Sequence, residues 1–227
     1  MDKKSKLWYF ENFSLLDVLC NKEKEFLDQK AVMRSAPKNK ILYFPEDVSN
    51  SIYLLKQGRV KISKMAENGK EVILTILGPG EVFGEMSITG QGKREEIAEV
   101  MDDAVICIIN ISDLQTMMEK NFRFNMQLTK FIGFRLKKIQ NRFESMVFKT
   151  SEERIRSFIR ELADEHGKII NNNPNQRKIF LRLTHEDIAK LTATSRQTVT
   201  TIFNELEKKN IIAYNRSKIL LKAYQEL

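Results

Sequence analysis

Along residues 40–109 short apolar runs alternate with turn signals: ILYF, SIYLL, RVKIS, EVILTIL and VICII are punctuated by PED, QG, ENG and GPG. Many short strands at this spacing predict an all-β sandwich or barrel. Within it KMAENGKEVI sets Asn68-Gly69 between two alternating segments. Asn-Gly tolerates the positive φ of a tight turn, so this segment predicts a hairpin. Ahead of these runs, residues 14–30 predict a short helix leading in.

Beyond residue 112 the alternation stops. Residues 113–148 contain no proline and only Gly133, and Leu128, Ile132, Leu136, Ile139, Phe143 and Met146 step by 4, 4, 3, 4 and 3. That is close to the period of a helix packing on a partner helix, with Arg135, Lys137, Lys138 and Arg142 on its wet faces. A helix packed on its own domain gives the same stripe. A helix this long leaving a β domain has little of that domain to lie along, so the pattern favours a seam between two copies.

A second domain begins near Thr150. Ser151 is placed to cap a helix whose Ile155, Phe158, Ile159 and Leu162 mark one face. NNNPNQ at 171–176 reads as a polar turn between KII and KIFLRL. Thr184 with Asp187 resembles a capping box, and Ile188 and Leu191 supply the buried side of the helix it opens. TAT joins this helix to another that Ser195 can cap, with Val199, Ile202, Phe203 and Leu206 at i, i+3, i+4 and i+7. IIAYNRSKILL predicts two short strands about Asn215-Arg216-Ser217.

The outer face of the last helix carries Arg196, Gln197, Thr200, Thr201 and Asn204, hydrogen-bonding groups in place of the usual Glu/Lys mixture. Two short helices joined by a short turn, the second with such a face, form a helix-turn-helix arrangement. A recognition helix enters the major groove N-terminus first. Arg196 can then bond a guanine edge, Gln197 an adenine, and Thr200 or Thr201 can meet a thymine methyl. Thr194 and Ser195, with the N–H groups of the helix start, suit a phosphate. A helical hairpin with a merely polar exterior has the same spacing.

Composition sharpens this. The 227 residues allow one large or two small domains, and 42% hydrophobic with 30% charged residues is ordinary for a globular protein. Residues 1–110 hold 16 Lys/Arg against 17 Asp/Glu, whereas 111–227 hold 22 against 13, so the whole formal excess of +8 lies in the C-terminal half, which suggests a polyanion partner for that half. No signal-peptide run or membrane span stands out, which predicts a cytoplasmic protein. Cys20 and Cys107 form no disulfide framework, and Cys107 in VICII suits a core. The two histidines, His166 and His185, make no HxH or HxxxH pair, so neither a metal nor another cofactor is expected.

SRQTV followed by an apolar stripe and LEKKNII closely resembles the recognition helix of the Crp/Fnr superfamily of bacterial transcription regulators, in which SRxTV is characteristic. SIYLLKQGRVKI, NGKEVILTILGPGEVFGEM, the long helix and the helix pair follow in the family order. The resemblance implies an α+β chain: a jelly-roll sensor (1–112), a dimerisation helix (113–149) and a winged helix-turn-helix (150–227). It also implies palindromic double-stranded DNA, a second copy of the chain and RNA polymerase as partners, with Thr184, Thr194, Ser195, Arg196, Gln197, Thr200, Thr201 and Asn204 at the DNA. Arg196 takes the base-reading position. Where the family often has Glu next and Arg five residues after the first, this chain has Gln197 and Thr201, so its half-site should differ.

VFGEMSITGQGKREEIAEV lies where cyclic-nucleotide-binding relatives carry their phosphate cassette, which makes Phe83, Gly84, Glu85, Met86, Arg94, Glu96 and Ile97 the expected effector pocket. Gly84 and Glu85 match its start. Aligning Ala98 and Val100 with the family strand puts Glu96 and Ile97 where nucleotide binders have Arg and Ser/Thr, and a shift of one or two residues would bring in Arg94. Ile139 and Gln140 stand where a nucleotide-responsive relative presents two hydroxyls. The chain also lacks the four cysteines of an iron–sulfur sensor and any sensor-domain histidine for haem. The expectation is a regulator not controlled by cAMP, whose small-molecule effector, if any, is unidentified. The alternative is a cyclic-nucleotide-responsive regulator or signalling module using Glu85 and Arg94. A metal-dependent jelly-roll enzyme is disfavoured because no histidine precedes residue 166.

Overall fold

The computed structural model describes residues 14–90, 92–180, 183–215 and 218–227. The segment MDKKSKLWYFENF and Gln91, Leu181, Arg182, Arg216 and Ser217 lie outside the described residues. The chain divides into two compact units, Met1–Lys137 and Lys138–Leu227, the division falling inside the long helix rather than at either of its ends.

In the first unit a 3-10 turn (Ser14–Leu16) precedes α1 (Asn21–Lys30). The strands are β1 (Val32–Ala36), β2 (Ile41–Tyr43), β3 (Ser51–Met65), β4 (Glu71–Leu77), β5 (Val82–Phe83) and β6 (Ile97–Asn110). They form one antiparallel sheet in the order β1-β6-β3-β4, with β2 also on β6 and β5 on β3. The Asn68-Gly69 hairpin joins β3 to β4, Met65 pairing with Glu71. SIYLL and RVKIS, expected as separate strands, are the single strand β3. The intervening Gln57-Gly58 is a bulge, not a turn: register against β6 shifts between Leu55 and Gln57 and again between Gln57 and Arg59. Gly58 has φ +82°, and a Cβ there would stand 2.5 Å from the Asp103 carbonyl, so only glycine suits this crossing. β1, VMRSA, escapes the sequence pattern because only Ala36 on it is buried.

Alternation along β3 and β6 feeds two cores. Leu55, Val60, Ile62, Ala98, Val100 and Ile106 pack inside the roll with Tyr43 and Phe83. Ile52, Leu54, Cys107 and Ile109 face the helices. Those helices are α1, α2 (Ile111–Lys120) and the start of α3 (Phe122–Phe148). The proline-free segment after residue 112 is therefore not one helix. Asn121 breaks it at φ −131°, ψ 99°: its side chain accepts the Phe124 N–H at 3.0 Å and donates to Glu23 of α1 at 2.8 Å. Leu128, expected at the seam, is 3% exposed in this core beside Leu27 and Phe124, so it is withdrawn from any interface on α3.

The second unit opens with α4 (Ser151–His166), capped not by Ser151 but by Thr150, which exchanges hydrogen bonds with Glu153. β7 (Gly167–Ile170) and β8 (Asn173–Ile179) meet at Asn171 and Asn172, both at positive φ. The turn is thus shorter than NNNPNQ, because asparagine tolerates the left-handed region. Pro174 sits within β8 but short of the residues, Arg177 to Ile179, that pair with β10, so its missing N–H breaks no ladder there. α5 (His185–Thr192) and α6 (Arg196–Lys208) follow, then β9 (Ile212–Asn215) and β10 (Lys218–Leu221). The four strands form a sheet in the order β7-β8-β10-β9.

Candidate nucleic-acid interface and effector pocket

Val199, Ile202, Phe203 and Leu206 are buried, and they fix which face of α6 is free. On that face Arg196, Gln197, Thr201 and Asn204 are exposed and Thr200 is half-buried. Among the described residues no hydrogen bond or ion pair engages the side chains of Arg196, Gln197, Thr201 or Asn204. Two capping residues expected from the sequence hold the two helices. Thr184 exchanges hydrogen bonds with Asp187 at the start of α5, and Ser195 accepts from the Thr198 N–H at 3.0 Å at the start of α6. Thr194 is half-buried against Thr192, their hydroxyl oxygens 3.0 Å apart.

The turn is Ala193-Thr194-Ser195, since Thr192 still belongs to α5. Ala193 ends that helix at φ 51°, ψ 48°, a left-handed conformation that disfavours any Cβ. Arg154 of α4 holds it there: Nε donates to the Thr192 carbonyl (2.9 Å) and Nη2 to the Ala193 carbonyl (3.1 Å), while Nη1 binds the Lys149 carbonyl (2.9 Å). These are the orphan acceptors at a helix end. No sequence pattern distinguishes Arg154 from an exposed helix arginine.

His185, the first residue of α5, is the other residue that sequence reasoning passed over. Its Nδ1 lies 2.9 Å from the Thr200 hydroxyl, and its ring stacks on Tyr214 of β9 and tilts against Phe203 of α6. Tyr214 in turn donates its hydroxyl to the Leu183 carbonyl at 2.9 Å. Burial, aided by the Arg196 charge, lowers the His185 pKa and favours the neutral ring. The cationic excess is spread more widely than the interface: residues 111–149 hold 8 Lys/Arg against 3 Asp/Glu, and 150–227 hold 14 against 10.

In the first unit the segment after β5 turns sharply at Gly84 (φ +76°) into a 3-10 turn, Glu85–Thr89. A Cβ on Gly84 would stand 2.9 Å from Arg94 Nη1 and 3.0 Å from the Tyr53 ring. Arg94 is 3% exposed; it donates to the Gly84 carbonyl at 3.0 Å and to the Ser51 carbonyl, and lies 4.6 Å from the Tyr43 ring centre. The loop thus brings in Arg94 rather than leaving only Glu96 and Ile97 there. Glu96 and Ile97 are half-buried beside it, Phe83 is buried and stacks on Tyr53, and Met86 is exposed. Glu85 is 2.6 Å from Arg135 of α3, which also donates to the Val82 carbonyl at 3.2 Å. Arg135 was expected on a wet face of the helix. Ile139 and Gln140 are exposed on α3 in the second unit.

Burial and neighbouring charges shift the titrating groups of this pocket. Burial first, then the neighbouring Glu85, raises the Glu96 pKa, while Lys64 and Arg94 act oppositely. Burial, then Glu96, raises that of Tyr43. Tyr43 Oη and Arg94 Nε are buried without a hydrogen-bond partner among the described residues, so the pocket keeps polar capacity. Among those residues no cluster of His, Cys, Asp or Glu is suited to a metal ion, and no helix is long and apolar enough to cross a membrane.

Residues 33–121 match the cyclic nucleotide-binding domain family and residues 153–227 the Crp-like helix-turn-helix domain. The chain is 24% identical over 207 residues to the anaerobic regulatory protein of Bacillus subtilis strain 168, covering 90% of this chain and 86% of that one. Among solved structures, a mutant of CooA from Carboxydothermus hydrogenoformans superposes with a TM-score of 0.73 at 28% identity, over 87% of this chain and 86% of that one. FixK2 from Bradyrhizobium japonicum, 20% identical, shares the fold with a TM-score of 0.77 over 86% of this chain and 94% of its own.

A raised carboxyl pKa means the folded chain holds that proton more tightly than the unfolded one. Stability is then lost as pH rises from the ordinary value of 4.5 through the raised one. Glu96→Gln should raise the thermal unfolding midpoint of the sensor unit at pH 7, and the gain should vanish as pH falls below 4.5.

Proposed function

We propose that this chain, which belongs to the Crp/Fnr superfamily of transcription regulators, binds palindromic operators as a homodimer and is not controlled by cAMP or cGMP. The observation that carries the dimer is the stripe on α3. Ile132, Leu136, Ile139, Phe143 and Met146 are 42%, 55%, 61%, 67% and 45% exposed, a continuous apolar face on one helix. Left in water, the exposed parts of these five apolar side chains forgo roughly 1 kcal/mol each, and a second copy covers them with the same stripe. Two recognition helices held one DNA turn apart then read the two half-sites of a palindrome. In this reading the protein is a regulator and not a catalyst, acting in the cytoplasm with RNA polymerase as its downstream partner.

Independence from cyclic nucleotides is supported by the charges around Gly84. A cyclic phosphate must exchange its water shell for a cation and hydroxyl donors. Here Arg94 is already bound to two carbonyls and an aromatic face, Glu85 is held by Arg135, and the half-buried Glu96 faces the same space. One observation favours a second reading: Arg94 lies directly beneath the Gly84 turn with Nε unpartnered, so a phosphate that displaced the carbonyls would find a guanidinium in place. On that reading the protein is a cyclic-nucleotide-responsive regulator using Glu85 and Arg94.

Three measurements decide among these. Sedimentation at micromolar concentration should show a dimer that Ile139→Asp dissociates; a monomeric wild type overturns the seam. Selection of binding sites from random DNA should return an imperfect palindrome, with Arg196→Ala costing about 1–3 kcal/mol and relaxing one base pair per half-site. Unchanged selected sites would place the reading helix elsewhere. Calorimetric titration with cAMP and cGMP should show no micromolar binding, and binding lost in Glu85→Gln would establish the second reading.

A further inference from the structure

Thr200 stands one turn after Arg196 and one turn before Asn204, at the centre of the free face of α6, yet its hydroxyl is occupied. Thr200 Oγ1 donates to the Arg196 carbonyl at 2.9 Å, which commits its only proton. The contact of 2.9 Å with His185 Nδ1 must therefore run the other way, Nδ1–H donating to Oγ1. The ring is fixed for this task by Tyr214, stacked with centres 5.0 Å apart, and by Phe203 at 5.1 Å. Phe203 and Tyr214 meet edge to face at 5.0 Å, so α5, α6 and β9 all contribute to holding the imidazole. His185 Nε2 is buried without a partner, consistent with a neutral ring carrying its proton on Nδ1.

We propose that His185 is a positioning residue for sequence readout: by anchoring the Thr200 hydroxyl inward it leaves the Thr200 methyl as the group presented to DNA, selecting a thymine methyl. This rests on the DNA-binding reading above. A threonine hydroxyl accepts or donates to several base edges, whereas a methyl group discriminates only by apolar contact, so withdrawing the hydroxyl narrows what the position accepts.

The full-length chain tests this with DNA sites selected by the wild type, each thymine in a half-site replaced in turn by uracil, which lacks only the methyl. At one thymine the replacement should weaken wild-type binding about fourfold, the worth of one buried methyl-sized group. Thr200→Val, which keeps the shape and removes the hydroxyl, should retain that ratio, and Thr200→Ser should abolish it. His185→Phe keeps a ring between Tyr214 and Phe203 but loses the donor, and should bring the ratio near one. Adding Thr200→Val to His185→Phe should restore it, because no hydroxyl remains to be released, an outcome that general loosening of the domain would not produce. Unfolding midpoints measured alongside identify any variant that fails to fold, in which case His185→Asn, whose amide can donate from nearly the same place, must behave as wild type. A wild-type ratio in His185→Phe, or no thymine sensitive to its methyl, overturns the proposal while leaving sequence-specific binding intact. Absence of any selected site overturns the DNA-binding reading itself.

Discussion

Carbonyl oxygens left over where the chain turns out of regular structure must find donors, and in both units arginines supply them. Arg94 takes up Gly84 and Ser51, Arg135 takes up Val82, and Arg154 takes up Lys149, Thr192 and Ala193. A guanidinium suits this work because its donors diverge in a rigid plane and reach several acceptors at once. The left-handed Ala193 is tolerated only where neighbours over-determine it, and Arg154 does so from a third helix. The orientation of α6 relative to α5, and so of its free face, depends on that turn.

The same device gives the sensor pocket its character. Arg94 inside the roll is not simply a cation awaiting an anion, since carbonyl dipoles and the Tyr43 ring already stabilise its charge. Glu85 and Arg135 neutralise one another between the 3-10 turn and α3. Glu96 is half-buried beside Glu85, and its pKa moves up chiefly because burial disfavours the carboxylate, with Glu85 adding to this and Lys64 and Arg94 opposing it. Arg94 and Glu85 are thus already engaged by contacts the chain makes with itself.

Much of the second unit was legible because its determinants are local. Capping by Thr184 and Ser195, the stripe of Val199, Ile202, Phe203 and Leu206, and the Asn68-Gly69 hairpin of the first unit all arise within a few residues of chain. The α+β class and the Crp/Fnr resemblance rested on such signals and stand. Three of the misses share an origin. β3 runs through Gly58 because β6 approaches there, Asn121, which caps Phe124 locally, is also held by Glu23 from 98 positions earlier, and Leu128 is buried in a core that α1 shares. None of the partners β6, Glu23 and α1 is near in sequence.

The sequence by itself determined most element types, the cap positions to within a residue, and the free face of α6, since backbone propensity and apolar periodicity act over one or two turns. Only the tertiary structure decided which polar residues are consumed internally. It turned Arg94 inward, paired Arg135 with Glu85, set Arg154 on the α5 carbonyls, and gave the Thr200 hydroxyl to His185. A polar side chain on a helix face or loop reads the same whether it meets water, DNA or another part of the chain. Its partner is fixed by distance in space, and spacing along the chain does not contain that distance.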